Sequence, residues 1–341
     1  MAKRLVLFNH KGGVSKTTTA YNVGWMLADK GHNVLLVDAD PQCNLSSLIL
    51  GDDFDAYYLE DATRLQNIKD GVEPAFKGRP TPIRPVTCTA SARQPRIQLL
   101  AGHATLSEYD APLTFAQNSN AIATLQNLPG AFHELISQVE MANQIDFTII
   151  DLNPGLSAIN QNLVLNAGFT LIPPNPDPFS IMALQTLESI FPRWAAWKTS
   201  NEEAFLDSAY PLRPGVPKFV GTVIQRFNVR RGRAAAPYRD NIAEIKAVTQ
   251  GSLYAALKNS GLTLPENDYP NALRNDGFCL EEIPDFGALL PRSHESGVPV
   301  FALRNNELGA TGIVLDGMIE KRDQIYGQFE SLAFQLTGLM G

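Results

Sequence analysis

Cysteine is scarce: Cys43, Cys88 and Cys279 are the only three in 341 residues, too scattered for a metal-ligand spacing or a disulfide framework. Their odd number and spread predict reduced thiols in a cytoplasmic protein. No apolar run approaches the roughly 20 residues that a membrane span requires, and the first strand-like segment begins so close to Met1 that no room is expected for a signal peptide or an N-terminal helix-turn-helix. If DNA is bound, the main domain must bind it. Basic residues are also in the minority, 28 Lys and Arg against 35 Asp and Glu, and the net charge of −7 excludes a chain that binds nucleic acid with its whole surface. Any such site is confined to one face. Strong repeats and low-complexity tracts are absent, and 44% hydrophobic content over this length supports one large domain or two ordinary ones.

What is present is concentrated near the start. The apolar run Leu5-Val6-Leu7-Phe8 fits a buried parallel strand, and it leads through Asn9-His10 into Lys11-Gly12-Gly13-Val14-Ser15-Lys16-Thr17-Thr18 and then a segment of helical periodicity. Glycines let successive backbone N–H groups converge on an anion, and the following helix points its positive end at the same place. In such a loop Lys16 supplies a charge for the outer phosphates, and Thr17 supplies a hydroxyl ligand for magnesium. Asn33 to Asp38 reads as a second buried strand, so the opening is a strand-helix-strand unit that favours a parallel sheet. Its end carries Asp38-Ala39-Asp40-Pro41-Gln42. Two carboxylates beside a phosphate loop can serve a magnesium's water shell and an attacking water. Further on, Phe147-Thr148-Ile149-Ile150-Asp151 reads as a buried strand that delivers a carboxylate to the sheet's edge, where a magnesium-bound water can meet it.

The loop, the paired aspartates and the strand ending in Asp151 together resemble the ParA/MinD family of P-loop ATPases, whose deviant phosphate loop reads K-G-G-x-x-K-[ST]. The similarity covers nearly the whole chain outside residues 51 to 96. It implies an α/β fold, a doubly wound and mostly parallel sheet flanked by helices, in a single domain over residues 1 to 341, with ATP and Mg2+ as cofactors. By this resemblance Lys11 crosses to the nucleotide of a partner subunit in an ATP-bound homodimer, Asp38 takes the metal side with Thr17 and Asp151, and Asp40 positions the attacking water. Catalysis then falls to Lys11, Lys16 and Asp40, and the nucleotide is held by residues 11 to 18, with the base near Pro174 and near the end of the strand over residues 219 to 224. Ser15 replaces the family's commonest residue, glycine, which puts strain on the loop, and Asn153 precedes Pro154 where a second proline is common. No N-K-x-D guanine signature occurs, which favours adenine.

Residues 51 to 96, with five prolines, read as an insertion or partner-facing excursion that is partly ordered and can contain a short helix, or equally as a surface loop with no specific partner. Strands are expected at residues 97 to 102, 169 to 172, 219 to 224 and 279 to 283, helices at 132 to 139, at 158 to 166 and from Gly309, and a turn from Pro291 to Pro299. Met318, Ile325, Phe329, Leu332 and Leu336 fit core packing of the last helix, which lacks the basic flanks of a membrane-inserting one. Five arginines, Arg226, Arg230, Arg231, Arg233 and Arg239, fall within fourteen residues. Such a cluster can hold a phosphate backbone without reading sequence, and in the ParA family arginines on this side bind non-specific DNA, with Arg226, Arg230, Arg231 and Arg233 the residues expected here. A solvated loop, or one paired with a partner's acidic residues, remains the alternative. The function expected is a slow, partner-stimulated ATPase of DNA partition or cargo positioning, cytoplasmic and nucleoid-associated, bound to no membrane; the alternative is a nucleotide-gated dimer that recruits a protein assembly without DNA. An electron-transferring relative of the nitrogenase iron protein is excluded because the cysteines do not match.

Overall fold

Strands that are buried on both faces organise the molecule. In the computed structural model, which describes residues 2–118, 125–230 and 233–341, β1 (Lys3–Leu7), β2 (Val34–Ala39), β3 (Thr89–Ser91), β4 (Gln94–Leu100), β5 (Phe147–Leu152), β6 (Phe169–Ile172), β7 (Lys218–Gln225) and β10 (Cys279–Ile283) form one sheet in the order β10-β7-β6-β1-β5-β2-β4-β3. Every pairing in it is parallel except β3 with β4. Every residue of β2 and β5 is buried, which is why these segments read as continuous apolar runs instead of alternating ones. A separate two-residue ladder, β8 (Val229–Arg230) with β9 (Arg233–Ala234), makes a small hairpin after β7.

Strand order reverses at β1: β5, β2 and β4 follow on one side, and β6, β7 and β10 on the other. Ligand crevices form outside the carboxyl ends of strands at such a reversal. The helix Lys16–Asp29 leaves from that end of β1 and lies so close to β2 that a Cβ on Gly24 would stand 2.6 Å from Leu36 Cδ2. Phe8 packs its ring against Phe191 and Trp194 at centroid distances of 5.7 and 5.3 Å, which ties the same end of β1 to the helix Pro178–Asn201.

One expectation changes. The stretch from Pro291 is not a turn, because Leu289–Ser296 is helical and Pro291 sits in its first turn, where a missing N–H costs nothing. The 51 to 96 segment holds the short helix expected in it, Ile68–Phe76, which buries Ile68 and Val72 in the main core, and β3 adds the edge strand. The last helix, Gly312–Met340, buries Ile325, Phe329, Leu332 and Leu336, as their spacing predicts, whereas Met318 nearer its start is only half-buried against the core. Among the described residues no helix is long and apolar enough to cross a membrane.

At the opposite end of β1, buried Arg4 is engaged by Glu140 at 2.6 and 2.8 Å, by Ser137 Oγ at 2.7 Å and by His133 Nδ1. Burial and the Arg4 charge push the His133 imidazole down to about 3, so it accepts from Arg4 as a neutral ring. Glu140→Ala strands this guanidinium and should cost about 3–5 kcal/mol of stability, read as a lower urea midpoint. Nucleotide affinity at the other end of the sheet should be unchanged in the folded variant; an unaltered midpoint would contradict the role given to this pair.

Candidate nucleotide site

The carboxyl ends of β1, β2 and β5 meet in register. Leu7 pairs with Asp151, and Asp151 pairs with Asp38 across β5 and β2, so both carboxylates stand beside the loop that leaves β1. Asn9 fixes the loop's entry: its Nδ2 donates to Pro173 O at 3.0 Å, and its Oδ1 accepts from Lys11 N at 3.0 Å. Gly13 then adopts φ +72° and Ser15 φ +61°, both left-handed, before the helix begins at Lys16. The strain expected of a serine in this loop is therefore visible in its backbone.

Lys16 folds back over the loop, and its Nζ donates to the carbonyls of Asn9 at 3.0 Å and Lys11 at 3.3 Å. Burial lowers its affinity for a proton, and the nearby carboxylates of Asp151 and Asp40 oppose that shift. Asp151 is fully buried, and neither carboxylate oxygen has a hydrogen-bond partner. Burial and the Asp38 charge raise its pKa, while Thr17 and Lys16 oppose this; the Thr17 hydroxyl lies near without the geometry of a hydrogen bond. A buried carboxylate without a donor calls for a cation or its water shell. The residues therefore fit a magnesium ion, which Thr17 and Asp151 would hold and which would supply the positive charge that the buried Asp151 lacks.

Asp38 is placed differently. Its Oδ2 accepts from Ser46 N at 2.8 Å and Ser46 Oγ at 2.7 Å, its Oδ1 accepts from Asp40 N at 3.1 Å, and burial holds its carboxyl up at about 6. With all these bonds made, Asp38 shapes the turn that presents Asp40. Asp40 lines the cavity and caps the turn by accepting from Gln42 N at 2.9 Å.

The cavity has a volume of about 480 Å³ and is lined by Gly12 to Thr18, Asp40, Gln42 and Asn44 at the phosphate end. That size is ordinary for a small-molecule site, whose range is about 300–1,000 Å³. Gly12 and Pro154 face each other, since a Cβ on Gly12 would stand 3.7 Å from the proline ring, and Gly155 N donates to His10 O at 3.0 Å. The segment after Asp151 thus rests on the phosphate loop. Asn160 Nδ2 holds it there through the carbonyls of Asn153 and Gly155, each at 3.1 Å.

Lys11 does not line the cavity. Its Nζ lies 2.5 Å from Asp177 Oδ2 and 3.1 Å from Ser180 Oγ, at the start of the helix Pro178–Asn201, where Asp177 is the N-cap. Pro174 is also off the wall, with its carbonyl accepting from Gln225 N at 3.0 Å. The far end of the cavity is instead lined by Gln225, Arg226, Pro284, Asp285, Phe286 and Leu290. Gln225 and Arg226 stand at the end of the strand over residues 219 to 224, where the family resemblance also places the base, whereas sequence reasoning passed over Pro284, Asp285, Phe286 and Leu290. Arg226, expected on a DNA face, donates through Nη1 to Gly13 O at 3.0 Å. Arg230 and Arg233 pair their backbones in the β8–β9 hairpin, and Arg231 lies outside the described residues.

The sequence profile of the AAA domain family matches residues 2–200. The chain belongs to the ParA/MinD family of P-loop ATPases. It is 27% identical over 184 residues to the chromosome partitioning protein ParA of Caulobacter vibrioides, a match over 54% of this chain and 60% of that one, so the chain spans about three fifths of this relative's length. Its fold is similar to that of Cyanothece McdA in an ATP complex, with a TM-score of 0.57, 20% identity and coverage of 98% and 96% of the two chains. It is also similar to pNOB8 ParA bound to non-specific DNA, with a TM-score of 0.55, 17% identity and coverage of 99% and 98%.

Ser15→Gly tests the loop strain in this family member. A non-glycine residue in the left-handed region costs about 1–2 kcal/mol, while glycine gives back about 0.4–1 kcal/mol through the unfolded chain. The variant should melt slightly above the parent and Ser15→Val well below it; a Ser15→Gly midpoint lower than the parent's would contradict the strain.

Proposed function

We propose that the protein is a ParA-type ATPase that binds Mg-ATP, closes into a dimer with nucleotide between the subunits, holds DNA non-specifically while closed, and hydrolyses ATP to reset. The observation that carries this reading is the division of labour between two lysines. Lys16 is folded over its own loop, whereas Lys11, five residues earlier, is parked on Asp177 outside the cavity, available to a second molecule.

In the chemistry that follows, a bound magnesium ion neutralises phosphate charge. The loop amides and Lys16 hold the phosphates, Thr17 and Asp151 hold the metal, and Asp40 orients a water toward the terminal phosphorus, from which ADP departs as phosphate forms. Lys11 of the second copy neutralises charge that develops on the oxygens between the phosphates. The packing of Pro154 on Gly12 gives the closed state a route to the rest of the molecule, and turnover is slow until a partner protein engages it. DNA partition or cargo positioning on nucleoid DNA is the process that this cycle serves. The relatives support this reading: Caulobacter ParA is a chromosome partitioning protein, and pNOB8 ParA was seen on non-specific DNA.

Lys16→Ala should abolish ATP binding, and Asp40→Ala should bind ATP with near-parental affinity while phosphate release falls by at least about 100-fold. Normal turnover by the Asp40 variant would remove that residue from the mechanism. Retention on DNA should require ATP and fall steeply with salt, and replacing Arg230, Arg231 and Arg233 together should weaken it alike on all sequences. The salt slope should then drop by about 0.9 for each DNA phosphate that is no longer neutralised. Absence of ATP-dependent retention at low salt would favour the reading in which the dimer recruits protein alone.

A further inference from the structure

Arg226 leaves the charged run and lines the wall of the cavity, with Nη1 on the Gly13 carbonyl. We infer that Arg226 is a positioning residue of the nucleotide site, bracing the phosphate loop and stacking its guanidinium on the base, and that it takes no part in DNA binding; this rests on the ATPase reading above.

The backbone there is pinned from both sides. Gln225 N donates to Pro174 O at 3.0 Å and Arg226 N to Ile283 O at 3.1 Å, so the ends of β6 and β10 hold the last residues of β7 in place. Arg226 then takes φ +62°, a left-handed conformation that residues with a Cβ rarely adopt. Such strain persists where the surrounding structure over-determines it, and it concentrates at functional sites. Here it accompanies a side chain that returns over the cavity, instead of following the chain out to the β8–β9 hairpin.

Its Nη1 meets the carbonyl of Gly13 at 3.0 Å, and Asn175 Nδ2 meets the same oxygen at 2.9 Å. Two donors, one from the segment after β6 and one from the end of β7, hold one carbonyl of the phosphate loop. The peptide is planar and trans, so a carbonyl drawn outward turns the N–H of the next residue, Val14, the opposite way, into the loop. That amide is among those that a bound phosphate needs. The remainder of the side chain lines the cavity with Pro284, Phe286 and Leu290, which are apolar surfaces suited to a flat purine. A guanidinium plane stacks favourably on such a ring.

Bracing and stacking act on parts that ADP and ATP share, so both nucleotides should feel the loss equally. The test is calorimetric titration of the full chain with Mg-ADP and with a non-hydrolysable Mg-ATP analogue, paired with DNA retention at saturating analogue. Arg226→Ala should raise both dissociation constants about tenfold, as expected for losing a charged hydrogen bond, and Arg226→Lys should recover part of the loss. Arg226→Gly should melt above the parent because the left-handed strain is relieved, yet lose the same affinity, a split that a purely structural role would not give. The salt slope of DNA retention should stay at the parental value in all three.

Dissociation constants within twofold of the parent, or a DNA salt slope lower by about 0.9, would overturn the inference. If the parent chain itself binds neither nucleotide, the ATPase reading fails first. Normal parental binding with an unaffected Arg226→Ala variant sinks this inference alone.

Discussion

A buried ammonium group sets the terms for the site. Lys16 is 6% exposed, inside a fold that offers it two loop carbonyls and the field of Asp151 and Asp40. Taking a cation out of water costs several kcal/mol unless opposite charge and hydrogen bonds replace the solvent. The carboxylates that do so are fixed by the register of β1, β5 and β2, and one of them, Asp151, has no hydrogen-bond partner of its own. The arrangement is thus complementary to a ligand carrying several negative charges together with a divalent cation. Slipping any one of the three strands by a residue would turn its side chains to the other face and dismantle it.

The same constraint explains what was readable in the sequence. Strands buried on both faces must be apolar throughout, so β1, β2 and β5 announced themselves, and the polar residues that follow or end them, Lys16, Asp38, Asp40 and Asp151, could be located from the sequence, although Asp38, expected on the metal side, gives its oxygens to Ser46 and the Asp40 amide instead. Only part of the far wall was readable: the family resemblance places the base near the end of β7, but nothing in the sequence points to the segment after β10. The wall is assembled from Gln225 and Arg226 at the end of β7 and from Pro284 to Leu290 after β10, segments about sixty residues apart that only the β7–β10 pairing brings together. Arg226 was grouped with its neighbours because a run of charge carries no direction; the left-handed turn that sends its side chain toward Gly13 leaves no mark in the sequence. Pro291 misled for a simpler reason: a proline punctuates a turn and a helix's first turn equally well.

Asp38 and Lys11 show how chemistry is distributed around the loop. Asp38 spends its oxygens on Ser46 and Asp40, and this is what gives the Asp40 turn its shape. Lys11 is tethered to Asp177 by an ion pair that is only partly buried, 22% and 32% exposed for the two side chains, so releasing it costs little when a better anion is presented. One lysine closes the pocket from within. The other is held in reserve a short distance away, and the phosphate loop sits between them.

The central claim is that this second lysine completes the pocket of another copy. The direct measurement is the mass of the Asp40→Ala chain by sedimentation, with and without Mg-ATP, compared with the Lys11→Ala, Asp40→Ala double variant. The account predicts doubling of mass with Mg-ATP for the first and a monomer that still binds ATP for the second. A chain that remains monomeric with bound Mg-ATP, or a double variant that dimerises as readily, would contradict it.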